Sequence, residues 1–242
     1  MKQTVQTWLV MAGYLLFLLF CLLAFPFVMF IKLFLSRQAY RRLIHRLAAW
    51  WARMTLRFTG SRVSVGGREL IPSGQPLCFV GNHQGMFDIP AFLGHVGRPA
   101  GFIAKQELFK VPVISLWMKQ IPCVFIDRKS SRKARESFQH SVALIQSGHP
   151  LVIFPEGTRS RSDHLGQFRP GALKLPLLAG ATIVPFAIKG SWRVFEIDKR
   201  IHKTTIQLRF LPPIPPEDPI YKDKQALPEH LHELIRTALE RM

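Results

Sequence analysis

Acidic residues are scarce in this chain: Asp and Glu total 15 against 33 Lys and Arg, which gives a net charge of +18 over 242 residues. A charge of this size predicts an anionic partner, such as an anionic membrane surface, an acidic protein or nucleic acid. Cysteine is also scarce, because only Cys21, Cys78 and Cys123 occur. An odd number without regular spacing argues against a disulfide framework and a metal site, and favours a reducing compartment.

Charged residues are missing between residues 3 and 31, where the sequence is almost entirely apolar. One helix over this stretch would be about 43 Å long, which exceeds the roughly 30 Å of a bilayer's hydrocarbon core. We therefore expect it to tilt, to kink at Pro26 or to turn back within one leaflet. A cleaved signal peptide is the alternative, but the run is too long and no A-x-A-like site follows it. The sequence predicts a membrane anchor over residues 1–35.

Arginines follow the anchor before any acidic residue occurs, and by the positive-inside rule this side faces the cytoplasm, at the inner membrane if the protein is bacterial. Residues 38–58 also have helical periodicity, with an apolar face and a basic face. The basic face carries Arg42, Arg46, Arg53 and Arg57. The apolar face carries Tyr40, Leu43, Ile44, Leu47, Trp51, Met54 and Phe58. We predict a basic amphipathic helix over residues 36–60 in the lipid headgroup layer, and the alternative is a helix packed on the domain with a solvated basic face.

Short strand-like runs alternate with helical patterns after Gly60, which predicts an α/β fold with a mixed sheet flanked by helices over residues 61–242. The predicted strands are 62–65, 77–80, 102–104, 123–126, 151–154, 183–188 and 205–211. The predicted helices are 89–96, 108–119, 131–146, 171–178 and 224–242.

The segment GNHQGMFD follows one predicted strand, at a place where active-site residues of open α/β sheets gather. On a regular helix His83 and Asp88 would point about 140° apart, but Gly85 permits a turn that lets them meet. Asp88 precedes an Ile-Pro pair and is expected to cap the next helix. It would also hold one imidazole nitrogen and leave the other to accept a proton, which is a catalytic triad without its nucleophile. The alternative is a simple cap beside an ordinary loop histidine.

The segment FPEGTRS follows another apolar strand. Its turn amides, Thr158 and Arg159 would suit a phosphate group. Glu156 would either hydrogen-bond an acceptor hydroxyl or hold the loop. The alternative is an ordinary turn at a strand end, since Pro-Glu-Gly is good turn chemistry.

Two further segments end predicted strands. VFIDR ends on Arg128, which would form a salt bridge or act as a second phosphate ligand. IVPFAIKG, residues 183–190, is favoured as a buried structural strand.

Together, NHQGMFD, FIDR, FPEGTRS and VPFAIKG resemble, in this order, the four sequence blocks of the glycerolipid acyltransferase family. The resemblance is closest to the 1-acyl-sn-glycerol-3-phosphate acyltransferases and covers about residues 60–190. It implies a glycerophosphate acyltransferase-like mixed sheet preceded by N-terminal membrane helices. It also implies that His83 is the catalytic base and Asp88 its partner. The acceptor phosphate site that it implies comprises Lys105, Arg128, Glu156, Gly157, Thr158 and Arg159.

The implied reaction moves a fatty acyl group from acyl-CoA or acyl carrier protein to the free sn-2 hydroxyl of lysophosphatidic acid, which gives phosphatidic acid. No cofactor besides the acyl donor and no metal is expected, and a serine hydrolase is disfavoured because no G-x-S-x-G segment occurs. The expected partners are anionic membrane lipids and the two substrates. Two alternatives stay open: an acyltransferase for another lysolipid, such as a lyso-ornithine lipid, or a non-catalytic lipid-binding membrane protein. Nucleic acid is not expected, because the arginines cluster beside the anchor and no nucleic-acid-binding motif occurs.

Overall fold

The computed structural model describes residues 2–126, 131–169 and 171–242, and within them helices flank a seven-stranded sheet. The helices are α1 (Lys2–Ile31), α2 (Arg37–Phe58), α3 (Asp88–His95), α4 (Pro112–Met118), α5 (Ser131–Gln146), α6 (Lys174–Ala179), α7 (Pro219–Lys222) and α8 (Ala226–Glu240). The strands are β1 (Arg62–Gly66), β2 (Leu77–Gly81), β3 (Gly101–Lys105), β4 (Val124–Ile126), β5 (Leu151–Ile153), β6 (Thr182–Lys189) and β7 (Thr205–Phe210).

The strands lie in the order β1-β7-β6-β2-β5-β3-β4. Neighbouring strands are parallel except β6 and β7, which are antiparallel, so the predicted mixed sheet is confirmed. The central strands β2, β5 and β6 are buried on both faces. Strands covered on both faces need apolar side chains at every position, which explains why these segments are continuous apolar runs without alternation.

Two hydrophobic cores hold the helices to the sheet. On one face, aromatic side chains of the sheet pack against α2 and α3, and on the other face α5, α6, α7 and α8 cover smaller aliphatic side chains. The first core is centred on Phe79, Phe92, Phe186 and Phe210, whose rings meet mostly edge to face or tilted. This packing fixes β2 and α3 relative to each other, and the turn between them carries His83.

The helix predicted over residues 108–119 is interrupted in the structure. A 3-10 turn at Gln106–Lys110 is followed by α4, which begins at Pro112. Val111 is extended because a following proline disfavours the helical conformation, and proline is well tolerated at the first position of a new helix.

The helix α1 continues through Pro26 over the whole apolar segment. Within the described residues one helix is long and apolar enough to cross a membrane, over Thr7–Ile31 with a mean hydropathy of 2.7, where the family resemblance implied several. One side of α1 contacts the domain through aromatic pairs with α2 and α4, such as Phe17 with Trp50 and Phe25 with Trp117. The other side exposes large apolar residues, and a surface of this kind marks a membrane or partner contact. They include Trp8, Leu9, Leu15, Leu16, Leu19, Phe20, Leu23, Phe27 and Phe30.

The helix α2 packs its apolar face on the domain and exposes its arginines. Two residues predicted for the apolar face, Tyr40 and Ile44, are buried. The aromatic core of the sheet is contacted by the buried side chains of Ala52 and Leu56, which were not predicted for that face. Small alanines let α2 approach α3 closely, and Arg53 Nη1 donates a hydrogen bond of 2.9 Å to the carbonyl of Gly94. This packing matches the alternative that the sequence left open, a helix packed on the domain with a solvated basic face. A position of α2 in the lipid headgroup layer stays a prediction.

Candidate active site

Three loops meet at the carboxyl ends of the central strands, because β2 lies between β5 and β6 and runs parallel to both. His83 follows β2, FPEGTRS follows β5, and Ser191 follows β6. The loops are joined by backbone hydrogen bonds from Ser160 N to His83 O (2.8 Å) and from Arg161 N to Gln84 O (3.0 Å). The strand order therefore brings together segments that are far apart in the sequence.

The imidazole of His83 is paired with the carboxylate of Asp88. His83 Nδ1 lies 2.6 Å from Asp88 Oδ2. The chain turns between them as predicted, and the Asp88 amide donates to the Gly85 carbonyl at 3.3 Å. The expectation that Asp88 caps the next helix is wrong: α3 begins at Asp88 and its cap position is Phe87, without a side-chain hydrogen bond. The carboxylate cannot cap α3 because it points back into the turn before it.

Asp88 is fully buried and accepts several hydrogen bonds there. Its Oδ2 accepts from the amides of Gln84 (2.7 Å) and Gly85 (3.0 Å) as well as facing His83, and its Oδ1 accepts from the Ser191 hydroxyl. Polar groups that are buried away from water cost free energy unless they are hydrogen-bonded, and these donors satisfy both carboxyl oxygens. The turn therefore fixes the carboxylate in one position relative to the imidazole, where it holds the ring tautomer and orientation.

The His83 ring is held on its face as well as at its edge. It stacks on Phe154 with ring centroids 4.1 Å apart and an interplanar angle of 14°. Nε2 makes no hydrogen bond to the part of the chain that the structure describes, and the side chain is 19% exposed. A positioned imidazole with one open nitrogen at a surface-accessible site can accept a proton from a bound hydroxyl.

Glu156 holds the loop that faces the imidazole. Its Oε1 accepts from the His83 amide (2.6 Å) and its Oε2 from the Gly166 amide (2.9 Å). Burial raises the pKa of this carboxyl, although the two amide hydrogen bonds oppose the rise. These contacts correspond to the second of the two roles predicted for Glu156, that of holding the loop.

A compact turn places the rest of FPEGTRS. Gly157 has a φ of 68°, a conformation that favours glycine, and a Cβ there would lie 2.6 Å from Arg169 Nε, so the arginine side chain would have to shift. Arg169 Nε in turn donates to the Glu156 carbonyl at 3.1 Å. Thr158 is exposed at the surface of the turn.

Arg159 is one of three cations around the buried carboxylate of Glu196. Arg159 Nη1 donates to Glu196 Oε1 at 2.7 Å, Lys199 Nζ to Oε2 at 3.1 Å, and Arg161 Nε lies 3.8 Å from Oε2. Glu196 Oε1 also accepts a hydrogen bond from the Met86 amide (3.3 Å), which lies in the turn between His83 and Asp88. Burial opposes ionisation of Glu196, but Lys199, Arg159 and the Met86 amide outweigh it, and the pKa of Glu196 lies below the usual value. The cluster has a net positive charge beside the imidazole, which favours an anionic substrate group.

The remaining predicted phosphate ligands are located only in part. Lys105 ends β3, which lies beside β5 and runs parallel to it, but the Lys105 side chain lies outside what the structure describes. Arg128 lies outside the described residues altogether. The assignment of these two residues, with Glu156, Gly157, Thr158 and Arg159, to a phosphate site stays a prediction.

Two residues of the site lie in none of the sequence motifs described above. Ser191 and Glu196 belong to the turn after β6, and they contact residues 103 and 37 positions earlier in the chain. The only indication was their position after the strand of the IVPFAIKG segment, which the sequence favoured as structural. Asn82 and Gln84 also reach this segment, through side-chain hydrogen bonds of 2.8 Å with Ile188 and Gly190.

The cysteines lie away from this chemistry. Burial raises the pKa of the Cys78 thiol, and raises that of Cys123 to about 12, so neither is a thiolate nucleophile at neutral pH. Among residues 2–126, 131–169 and 171–242, no group of three or more His, Cys, Asp or Glu side chains is arranged to hold a metal ion.

Comparison with known proteins agrees with this geometry. A probable 1-acyl-sn-glycerol-3-phosphate acyltransferase of Mycoplasma genitalium is 36% identical over 163 residues, which cover 65% of this chain and 59% of that protein. A chloroplastic 1-acyl-sn-glycerol-3-phosphate acyltransferase of Arabidopsis thaliana is 31% identical over 157 residues, which cover 64% of this chain and 44% of that protein. The chain thus spans about half the length of the curated relatives it matches.

A solved structure shares the fold. The crystal structure of a 1-acyl-sn-glycerophosphate acyltransferase from Thermotoga maritima superposes with a TM-score of 0.86 at 22% identity, over 100% of this chain and 99% of that one. The sequence model described as Acyltransferase matches residues 62–189, which include His83, Asp88 and the loops after β2 and β5, and which end at the last residue of β6. With more than half of its length matched in this way, the chain belongs to this acyltransferase family.

Proposed function

We propose that this protein is a membrane-associated O-acyltransferase that moves a fatty acyl group from acyl-CoA or acyl carrier protein to the sn-2 hydroxyl of 1-acyl-sn-glycerol-3-phosphate. The observation that carries the proposal is the pairing of the partly exposed His83 with the buried Asp88, with Nδ1 and Oδ2 2.6 Å apart. The names of the curated relatives, which include 1-acyl-sn-glycerol-3-phosphate acyltransferase alpha of Homo sapiens at 32% identity, support this acceptor.

The first step of the proposed reaction is proton removal. His83 Nε2 accepts the proton of the acceptor hydroxyl as its oxygen attacks the thioester carbonyl carbon. The imidazolium that forms is stabilised by Asp88, whose carboxylate stays in place because backbone and Ser191 donors already surround it.

The second step expels the thiol. The tetrahedral intermediate collapses, its C–S bond breaks, and the leaving sulfur takes the proton carried by His83 Nε2. An ester and a free thiol result, and the enzyme returns to its starting protonation state. The reaction needs no acyl-enzyme, which is consistent with two buried thiols of raised pKa, Cys78 and Cys123.

The acceptor's phosphate is proposed to bind beside the Glu196 cluster. Arg159 is partly exposed, with 36% of its side chain accessible, while its partner Glu196 is 3% exposed. One guanidinium edge is therefore held by the carboxylate and the rest is open to solvent. A phosphomonoester near Arg159, Arg161 and Lys199 would gain charge-assisted hydrogen bonds from donors that Glu196 has already gathered.

The membrane anchor is proposed to be α1, with the domain on the cytoplasmic face. The support is the apolar side of α1 and the exposed arginines of α2, which suit an anionic bilayer surface. Both substrates carry acyl chains, so a site attached to the bilayer draws the acceptor from the membrane.

The direct test is acyl transfer by purified protein in mixed micelles, from acyl-CoA and separately from acyl carrier protein, to lysophosphatidic acid. His83→Ala should lower phosphatidic acid formation by about 10²–10⁴-fold, the usual contribution of a general base. His140→Ala is the matched control, since His140 is exposed on α5 away from the site. Equal rates for wild type and His83→Ala would remove His83 from the mechanism.

The acceptor is tested with Arg159→Gln. This variant should raise KM for lysophosphatidic acid by about tenfold, the loss of one charged hydrogen bond, and should leave kcat within about threefold. A lysolipid without a phosphomonoester should be affected less. Activity with such a lysolipid and none with lysophosphatidic acid would instead assign the other acceptor class. No product from any lysolipid would favour a non-catalytic lipid-binding protein.

A further inference from the structure

A cavity of about 230 Å³ lies at the amino-terminal ends of the strands, opposite to the end that carries the His83 imidazole. Its walls include Pro99 and Ala100, which precede β3, and His149 and Pro150, which precede β5. His83 follows β2, which runs parallel to β5 as β3 does. The cavity is therefore separated from the candidate active site by the length of the strands, about 10–17 Å for three to five residues.

The lining of the cavity combines basic and apolar side chains. Arg41, His45, Lys119 and His149 supply the basic groups, and none of the described lining residues is acidic. Apolar walls come from Ile44, Ala48, Leu93 and Ile121. A site of this composition suits a ligand with an anionic group joined to carbon, because the anion meets the cations while the carbon chain meets the apolar wall.

Two ring nitrogens at the cavity are buried without a hydrogen bond. His45 Nδ1 and His149 Nδ1 have no partner among the described residues, although neighbouring polar groups are satisfied. Arg41, for example, donates to the carbonyl of Gly148, and Gln120 accepts from the Tyr40 hydroxyl at 2.9 Å. Both rings line the cavity, so a ligand that enters it would change their surroundings without displacing an existing Nδ1 hydrogen bond.

The surroundings of both histidines favour the neutral imidazole. Burial lowers the pKa of both His45 and His149, and the positive charges of Arg53 and Arg41 lower it further. A neutral imidazole can still donate from one nitrogen, and a bound anion would offset the repulsion from the nearby guanidinium groups.

The cavity also lies next to the end of the anchor. Lys32, directly after α1, lies 5.4 Å from the ring centroid of Tyr40, and Tyr40 binds Gln120 of the cavity wall. The other end of α1 reaches Ile201, whose amide donates to Thr7 Oγ1 at 3.2 Å. A phospholipid beside the last turn of α1 would thus have its headgroup near the mouth of the cavity.

We propose that this cavity is a second lipid site, which binds the phosphate of an anionic phospholipid headgroup between α2, α4 and the loop at His149. The phosphate lies between Arg41 and Lys119, beside the two histidine rings, and the glycerol carbons rest on Ile44 and Ile121. Occupation of the site would attach this end of the sheet to an anionic bilayer, independently of the candidate active site.

The test follows histidine ring resonances by ¹⁵N–¹H NMR, with protein in neutral detergent micelles and assignments from His45→Gln and His149→Gln. Dioctanoyl phosphatidylglycerol, dioctanoyl phosphatidylcholine and inorganic phosphate are titrated in turn. Phosphatidylglycerol should shift both rings saturably, and phosphatidylcholine should bind at least about tenfold more weakly, because its ammonium group would meet the cations.

Matched variants on one helix separate the cavity from the general basic surface. Arg41→Gln should weaken phosphatidylglycerol binding by about tenfold or more, while Arg46→Gln, an exposed arginine of α2 outside the cavity, should change it by less than about twofold. Equal weakening by both variants, or shifts confined to the His83 ring, would overturn the proposal. Inorganic phosphate binding as tightly as the lipid would overturn the assignment to a headgroup and leave a free anion as the ligand.

Discussion

Replacing Asp88 with asparagine separates the charge of the dyad from its shape. The carboxylate faces His83 Nδ1 and accepts from two backbone amides and from Ser191. Asparagine keeps one acceptor oxygen, and its NH2 group must face either the imidazole and backbone amides or the Ser191 hydroxyl. If the amide faces His83, the ring must present the opposite tautomer, and Nε2 then carries a proton and cannot act as a base.

The magnitude follows from the number of hydrogen bonds lost. One charge-assisted hydrogen bond contributes about 1.5–3 kcal/mol, so Asp88→Asn should lower the free energy of unfolding by about 2–4 kcal/mol. The same change should lower kcat by about 10²–10⁴-fold, since it disables general-base catalysis. KM for the acceptor should stay within about threefold, because a fully buried side chain contacts no substrate.

The assay combines urea unfolding in detergent with steady-state acyl transfer to lysophosphatidic acid. Ser191→Ala is the graded control, because it removes one donor to Asp88 Oδ1 and leaves the Oδ2 contacts intact. It should lower kcat by no more than about tenfold. A folded Asp88→Asn protein with a rate near that of wild type, or equal losses in the two variants, would refute the role given to the carboxylate.

Three further predictions concern neighbouring parts of the site. Gly85→Ala should lower the free energy of unfolding by about 1–3 kcal/mol in urea titration, because its Cβ would lie 2.9 Å from a backbone atom of the facing turn. Gly66→Ala is the control and should be near neutral, because its Cβ would make only an ordinary van der Waals contact of 3.8 Å with the Arg209 side chain. Phe154→Leu should lower kcat by about 2–10-fold with KM unchanged, because it removes the ring stacked on His83, and an unchanged kcat would show that the stack has no catalytic role. Glu196→Gln should lower Tm at neutral pH by roughly 2–4 °C. Because the pKa of Glu196 is lowered in the folded protein, this difference in Tm between wild type and variant should shrink as pH falls below about 4.3. A difference that grows with acid would contradict the lowered pKa.

The sequence by itself determined much of the fold and half of the site. Continuous apolar runs identified β2, β5 and β6, because strands covered on both faces have no polar side to alternate with. The pairing of His83 with Asp88 was also readable, because five residues and one glycine are enough to close a local turn. The role of Asp88 as a helix cap was wrong, because one carboxylate cannot serve both the preceding turn and the helix.

The tertiary structure alone decided which distant residues complete the site and how α2 lies on the domain. Ser191 reaches Asp88, and Glu196 holds Arg159, only because β6, β2 and β5 are neighbours in the sheet. Periodicity fixes which face of an element is apolar, but strand order depends on the packing of the whole core. The same reason explains why the alanine face of α2 and the cavity beside it were invisible in the sequence: both exist only where separate elements meet.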